Sequence, residues 1–212
     1  MLSSFKTHAI SVRKRLEQHG VPGTIKWLAG KLFYFRWRSV VFCEDLLIKR
    51  SLVQWPDGYQ YSPPVFLSKI NDDQKNKLVC AGFEETIRAI GLGDEIYWIT
   101  WKNVVVSVGV VLHDSPQCSI LGLPEKSILI GHCVTSEDHR RKSLYSSAIS
   151  NTIHYLRNRG NCSIFMETRI ENIASQHGIL KAGLKQWKVV DARIFFRSIV
   201  FRNNSFSFLR RH

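Results

Sequence analysis

Three consecutive cations, Arg140, Arg141 and Lys142, stand between a strand-like run, Ser127 to Thr135, and a stretch of helical spacing that begins near Ser143. Backbone N–H groups in the first turn of a helix have no acceptor inside the helix and carry partial positive charge. Full charges beside them make a place for an anion such as phosphate or pyrophosphate. The same residues also suit a solvated charged loop ahead of an ordinary helix, and the segment alone leaves both readings open.

A strand, a loop and a helix are needed to hold such a site, and the flanking sequence supplies them. Tyr145, Ile149, Ile153 and Leu156 recur at i, i+4, i+8 and i+11, one face of a helix that Gly160 can end. Cys162 to Arg169 has strand character, and a second helix is expected from about Asn172 to Ala182, with Gly183 as its C′ residue. Ser127 to Gly183 is therefore a βαβα unit. Upstream, Val65 to Ile70 is strand-like, and Asn71-Asp-Asp73 offers an N-cap for a helix with Leu78, Val79, Phe83 and Ile87 inward; Gly91 and Gly93 end it. Asp94 to Trp101 and Val104 to Leu112 form a hairpin across Lys102-Asn103, followed by a loop from His113 to Lys126. Gln186 to Val190 and Ala192 to Phe201 are the last strands. From residue 65 the order is β-α-β-β-β-α-β-α-β-β, an α/β (α+β) chain with a mixed sheet flanked by helices.

The 212 residues suit one domain with appendages, and the turn-rich segments Gln54 to Gly58 and Ser62 to Pro64 place the boundary near residue 60. This gives a basic N-terminal extension, 1–60, packed on or next to a domain of 61–212. The formal charge of +13 is uneven: residues 1–50 hold ten Lys/Arg against three acids, 193–212 five Arg and no acid, and 51–192 fifteen bases against fourteen acids. Because the basic character belongs to the ends, nucleic acid is disfavoured as a partner of the middle. Residues 1–35 have a helical pattern broken at Gly20-Val-Pro-Gly23, and the second piece runs into the aromatic and basic stretch Lys31 to Arg38. A helix packed on the core, a contact of residues 1–40 with an anionic membrane, and a nucleic-acid contact remain open for it. Ser39 to Cys43 is a short strand.

No apolar run approaches the roughly 20 residues of a membrane span, and no signal-type apolar segment opens the chain. Five cysteines without a CxxC pair fit reduced thiols and argue against a disulfide framework or a zinc site. The expectation is a cytoplasmic protein without metal, peripheral to the inner face of the membrane if its basic end binds lipid. Cys133 and Cys162 fit small buried hydrophobes, and His132 and His177 fit hydrogen-bonded structural histidines.

In this order, residues 65–201 resemble the GNAT superfamily of acetyl-CoA-dependent N-acyltransferases. Two motifs carry the resemblance. Arg140-Arg-Lys-Ser-Leu-Tyr145 is similar to the family's pyrophosphate loop, Q/R-x-x-G-x-G/A, in a subset whose loop ends in Leu-Tyr; Ser143 and Tyr145 stand in place of the glycines. Asn172-Ile-Ala-Ser175 through Lys181-Ala-Gly-Leu184 is similar to the Asn-x-x-Ala helix that ends in Gly-Phe.

The resemblance implies a splayed central sheet and acetyl-CoA, or another acyl-CoA, as co-substrate. It implies that Cys133, Val134 and Thr135 pair with the pantetheine arm. Arg140, Arg141, Lys142, Ser143, Leu144 and Tyr145 would cradle the pyrophosphate, with Asn172 on the adjoining helix. It also implies a small-molecule amine acceptor, an amino sugar or cell-surface precursor in relatives with the Leu-Tyr loop, acylated by direct attack. Ser143 carries only a small side chain and would preserve the site if its φ stays negative. The tyrosine that serves many members as acid corresponds here to Ile179, so Tyr145 is the candidate acid and Glu167 the candidate base. A non-catalytic GNAT-like binding or membrane-associated module is the alternative, and the oligomeric state is not implied.

Overall fold

The computed structural model describes residues 20–22, 34–45, 53–113, 115–161, 163–195, 199–202 and 205–208. They fall into a larger unit, Arg38–Val190, and a smaller one drawn from the chain on either side of it. Most of 1–33, the larger part of the candidate membrane-binding stretch 1–40, and Cys162 lie outside the described residues.

In the larger unit, which holds β1 from Arg38 on and β7 as far as Val190, the strands run β2-β3-β4-β5-β6-β1-β7. They are β1 (Tyr34–Glu44), β2 (Tyr59–Phe66), β3 (Glu95–Trp101), β4 (Val104–His113), β5 (Ile128–Thr135), β6 (Ile164–Arg169) and β7 (Leu184–Phe195). Neighbours β2 to β5 are antiparallel, β5 and β6 are parallel, and β1 is antiparallel to β6. This is the mixed sheet the alternation predicts. Helices α1 (Asp72–Cys80) and α2 (Glu84–Arg88) follow β2, α3 (Pro116–Leu121) follows β4, α4 (Leu144–Asn158) joins β5 to β6, and α5 (Ile173–Lys181) joins β6 to β7.

Alternate residues of the strands feed two cores. Tyr97, Ile99 and Val106 turn to a cluster that includes Leu144, Ile149, Ile153 and Leu156 of α4 and Ile179 of α5. Ile96, Val105 and Val108 meet Leu78, Phe83 and Ile87 from the α1–α2 segment. The inward stripe read for α4 is thus its core face.

Several boundaries differ from the sequence reading, each for a local reason. Tyr34 to Arg38 is strand, because Tyr34, Phe35 and Trp37 extend the aromatic and β-branched residues Val40 to Phe42 into one strand that runs to Glu44. The expected strand Val65–Ile70 begins six residues earlier and ends in a 3-10 turn, Leu67–Lys69. Gly82, at φ +86, splits the expected single helix into α1 and α2 and leaves Val79 exposed. The expected loop after His113 holds α3, with Ser115 as N-cap, Pro116 in the first turn and left-handed Gly122 as C-cap. Gln186 to Val190 and Ala192 onward belong to one strand, β7.

In the smaller unit β7 pairs with β8 (Ile199–Arg202), and β8 with β9 (Ser205–Phe208), both antiparallel. Arg36 Nε donates to Asp191 Oδ1 at 2.8 Å.

One buried carboxylate ties β3, β4 and α4 together. Glu95 is fully buried, 2.8 Å from His113 Nε2 and 2.5 Å from an Arg159 guanidinium nitrogen. Burial alone would raise its carboxyl, but the hydrogen bonds and charges of His113 and Arg159 outweigh that and hold it below 4.5. A depressed carboxyl stabilises the fold above its unfolded value, and that contribution is lost as pH falls through the folded one. The stability advantage of the native chain over Glu95→Gln, read from urea midpoints, should therefore shrink between pH 6 and pH 3. A constant difference would show that the charge contributes nothing.

Candidate active site

The β5 strand pairs with β6 only through Ile128↔Ile164, Leu129↔Phe165 and Ile130↔Met166. Beyond Ile130 the two strands part. On its other side β5 stays on β4, with Val108↔Val134 and Ser107↔Thr135, but the register slips by one residue between Val110↔Gly131 and Val108↔Val134. The extra residue is a bulge, and His132 takes φ +49 there. The edge of β5 from Cys133 to Thr135 that would face β6 thereby becomes one wall of a cleft of about 840 Å³.

The Cys133 side chain packs against the α4 core, with its Sγ 3.2 Å from the hydroxyl of buried Tyr97. Tyr97 fits only because residue 109 is glycine: a Cβ there would lie 2.1 Å from the phenol oxygen. Burial pushes the Cys133 thiol up to about 11 against the hydrogen bonds from Tyr97 and the Val110 backbone. It stays protonated at neutral pH, so it is a small floor residue rather than a nucleophile.

After β5 comes a 3-10 turn, Glu137–His139, and then the basic loop. Arg140 donates to the Thr135 carbonyl at 3.2 Å and pairs with Glu137 at 3.1 Å, which holds the loop against the end of β5. Lys142 turns the other way: its Nζ donates to the Tyr59 hydroxyl at 3.1 Å, and that oxygen lies 2.9 Å from His139 Nδ1. Arg141 and Ser143 both adopt left-handed backbone, φ +62 and +60. The condition set for Ser143, a negative φ, is therefore not met. The loop takes the conformation that glycine takes freely, at a cost of about 1–2 kcal/mol for each side-chain-bearing residue.

Ser143 is the N-cap of α4 but makes no side-chain cap bond. Its carbonyl accepts from Ser147 N at 3.0 Å, and its Oγ accepts from Lys181 Nζ at 2.8 Å. The first-turn N–H groups of Leu144, Tyr145 and Ser146 precede the first intrahelical donor, so the positive end of a 15-residue helix meets the cleft.

The opposite wall is α5. Asn172 caps it, its side chain accepting from Ser175 N at 3.1 Å. The Tyr145 ring lies across Gly178, where a Cβ would come within 2.4 Å of the ring. Burial raises the Tyr145 phenol far above 10, the neighbouring Cys133 adds to this, and the Ser175 hydroxyl opposes it. The phenol is a proton donor at neutral pH.

The structure brings Cys133, Val134, Thr135, Arg140, Arg141, Ser143, Leu144, Tyr145 and Asn172 together around this cleft. Lys142 is not among its lining residues. Glu167 is also absent from the lining; it sits on β6 opposite Val41, immediately past the last pair with β5. The side chains of His132 and His177 are exposed and make no hydrogen bond among the described residues, so the hydrogen-bonded role expected of them is corrected. Sequence reasoning missed His139, Ser175, Gly178 and Lys181, all of which line the cleft. A signal for three of them exists, because Ser175, Gly178 and Lys181 recur at i, i+3, i+6 and so share one face of α5. Among the described residues no group of three or more His, Cys, Asp or Glu could hold a metal ion, and no helix is long and apolar enough to cross a membrane.

No protein-family model matches the sequence, and no curated protein matches it. Solved structures do. A GCN5-related N-acetyltransferase-like protein from Streptococcus suis superposes with a TM-score of 0.52 at 16% identity, over 84% of this chain and 68% of that one. A GNAT-family acetyltransferase from Colwellia psychrerythraea gives 0.49 at 12%, over 82% and 62%. A tandem GNAT protein from the clavulanic acid biosynthesis pathway gives 0.49 at 14%, over 83% and 59%. The chain thus spans 62% of the Colwellia protein's length. The fold is that of the GNAT acetyltransferases: a mixed sheet whose parallel central strands part, with helices on both faces.

Proposed function

We propose that this chain is an acyl-CoA-dependent N-acyltransferase that moves an acetyl group from acetyl-CoA to a small amine. The observation that carries the proposal is the cleft itself. It has the free edge of β5 on one wall and the bare first turn of α4 at its end, with a left-handed loop between them. The edge from Cys133 to Thr135 offers backbone donors and acceptors to an extended amide-bearing arm, and the helix N-terminus with Arg141 suits a pyrophosphate. The bound thioester supplies the activated acyl group. Tyr145, kept protonated, would donate a proton to the departing sulfur. Glu167, at the root of the splay, would take the proton of an amine arriving beside β6. Amino sugars and cell-surface precursors are the acceptors we favour.

A non-catalytic module finds support in one observation: Ile179, where relatives carry the acid, is fully buried and has no hydroxyl. Thermal shift with acetyl-CoA separates the readings. Ligand at about 100 times its Kd should stabilise the chain by about 2.7 kcal/mol and raise Tm by roughly 5–10 °C. Mixing with candidate amines should then release thiol in proportion to N-acetyl product. A shift without product would favour the non-catalytic module, and no shift at millimolar acetyl-CoA would overturn the cofactor assignment.

A further inference from the structure

Four cations surround the anion loop, and the structure commits them differently. Arg140 is held by the Thr135 carbonyl and Glu137, and Lys142 by the Tyr59 hydroxyl. Arg141 lines the cleft and has no hydrogen-bond or ion-pair partner among the described residues. The fourth, Lys181, comes from the other wall. It stands in the last turn of α5 and reaches across to Ser143 Oγ, the cap of the very helix whose N-terminus is bare.

The partner of Lys181 is a neutral hydroxyl. An ammonium bonded to a hydroxyl gains little over one bonded to water, whereas an ammonium bonded to a phosphate oxygen forms a charge-assisted pair of roughly twice the strength. An anion seated on the α4 N-terminus would lie beside Ser143, within reach of a lysine already resting there. We infer that Lys181 is a ligand of the pyrophosphate of the acyl-CoA, a latch on Ser143 in the free protein that transfers to the anion on binding. This rests on the cofactor reading above. It places one cation on each wall, Arg141 from the loop and Lys181 from α5, and explains how a loop whose own lysine points away still neutralises a dianion.

Calorimetric titration of the full chain with CoA and with pantetheine, which lacks the pyrophosphate, tests this. Lys181→Met keeps the apolar stem and removes the charge. It should weaken CoA on the order of tenfold, leave pantetheine unchanged, and lower the salt dependence of CoA binding by about one charge. Lys181→Arg should stay within about threefold of the native chain.

An unchanged CoA affinity in Lys181→Met overturns the inference. So does an equal loss for pantetheine, or a tenfold loss in Lys181→Arg, since each would make the residue structural. If Lys181→Met does not fold, Lys181→Gln, which also removes the charge, and Lys181→Arg decide by the same criteria. A native chain that binds neither CoA nor pantetheine removes the cofactor reading and Lys181's role with it, whereas CoA binding that ignores residue 181 removes this role alone.

Discussion

Gly109→Ala should destabilise the chain by about 3 kcal/mol, near the upper end for overpacking a close-packed core, and lower Tm by roughly 6–12 °C. The added carbon would lie 2.1 Å from the Tyr97 hydroxyl oxygen and 2.2 Å from the ring carbon that bears it. Tyr97 is 2% exposed, so its ring has no solvent to retreat into. The conflict can be relieved only by moving β3 away from β4 or by expelling the ring, and either change frees Cys133 from its 3.2 Å contact with the phenol. The damage should therefore reach the cleft: in the fraction that folds, CoA affinity should fall as well. Removing the ring as well, in a Gly109→Ala, Tyr97→Ala double variant, should cost less than the sum of the two single changes, because the clash is absent once the ring is gone. Urea denaturation of the four proteins checks this. Additive effects, or a Gly109→Ala chain as stable as the native one, would show that the sheet absorbs the extra carbon without strain.

The order of elements was legible because each one carries its own local signal. The α4 stripe, the Lys102-Asn103 turn and the Asn71 cap are written in period, turn chemistry and capping, and the structure places all three as read. What was not legible depends on contacts between distant parts of the chain. Nothing in Tyr34 to Glu44 says that this strand lies between β6 and β7. The left-handed backbone at Arg141 and Ser143 contradicts residue preference. It is accompanied by bonds the loop sequence does not reveal, to Tyr59 on β2 and to Lys181 on α5. Lys142 illustrates the same limit. As one of three adjacent cations it belongs with the anion site, and only the fold shows that its ammonium is bonded to Tyr59. Gly109 and Gly178 are the converse case, glycines in a strand and a helix that would weaken both elements. Their meaning appears only when the Tyr97 and Tyr145 rings are seen occupying the space their missing side chains leave.

Gly178 also bears on the proposed chemistry. With Ile179 buried in the core, α5 brings no phenol of its own to the cleft, and the groove that Gly178 leaves admits one from α4 instead. Tyr145→Phe keeps the ring in that groove and deletes only the hydroxyl, so folding and acetyl-CoA affinity should be preserved. If Tyr145 protonates the departing sulfur, kcat should fall about 100-fold, the lower end of the range for losing a positioned acid. Glu167→Gln provides the complementary measurement. If Glu167 is the base, the change should lower kcat/KM and flatten the acidic limb of its pH profile. The two variants give different signatures: loss of the acid falls on kcat alone, and loss of the base on the pH dependence. A Tyr145→Phe rate within threefold of native would leave the leaving thiolate to solvent and return the phenol to a packing role. An unchanged rate and profile in Glu167→Gln would remove that residue from the mechanism, which its position just off the cleft makes the sharper test of the two.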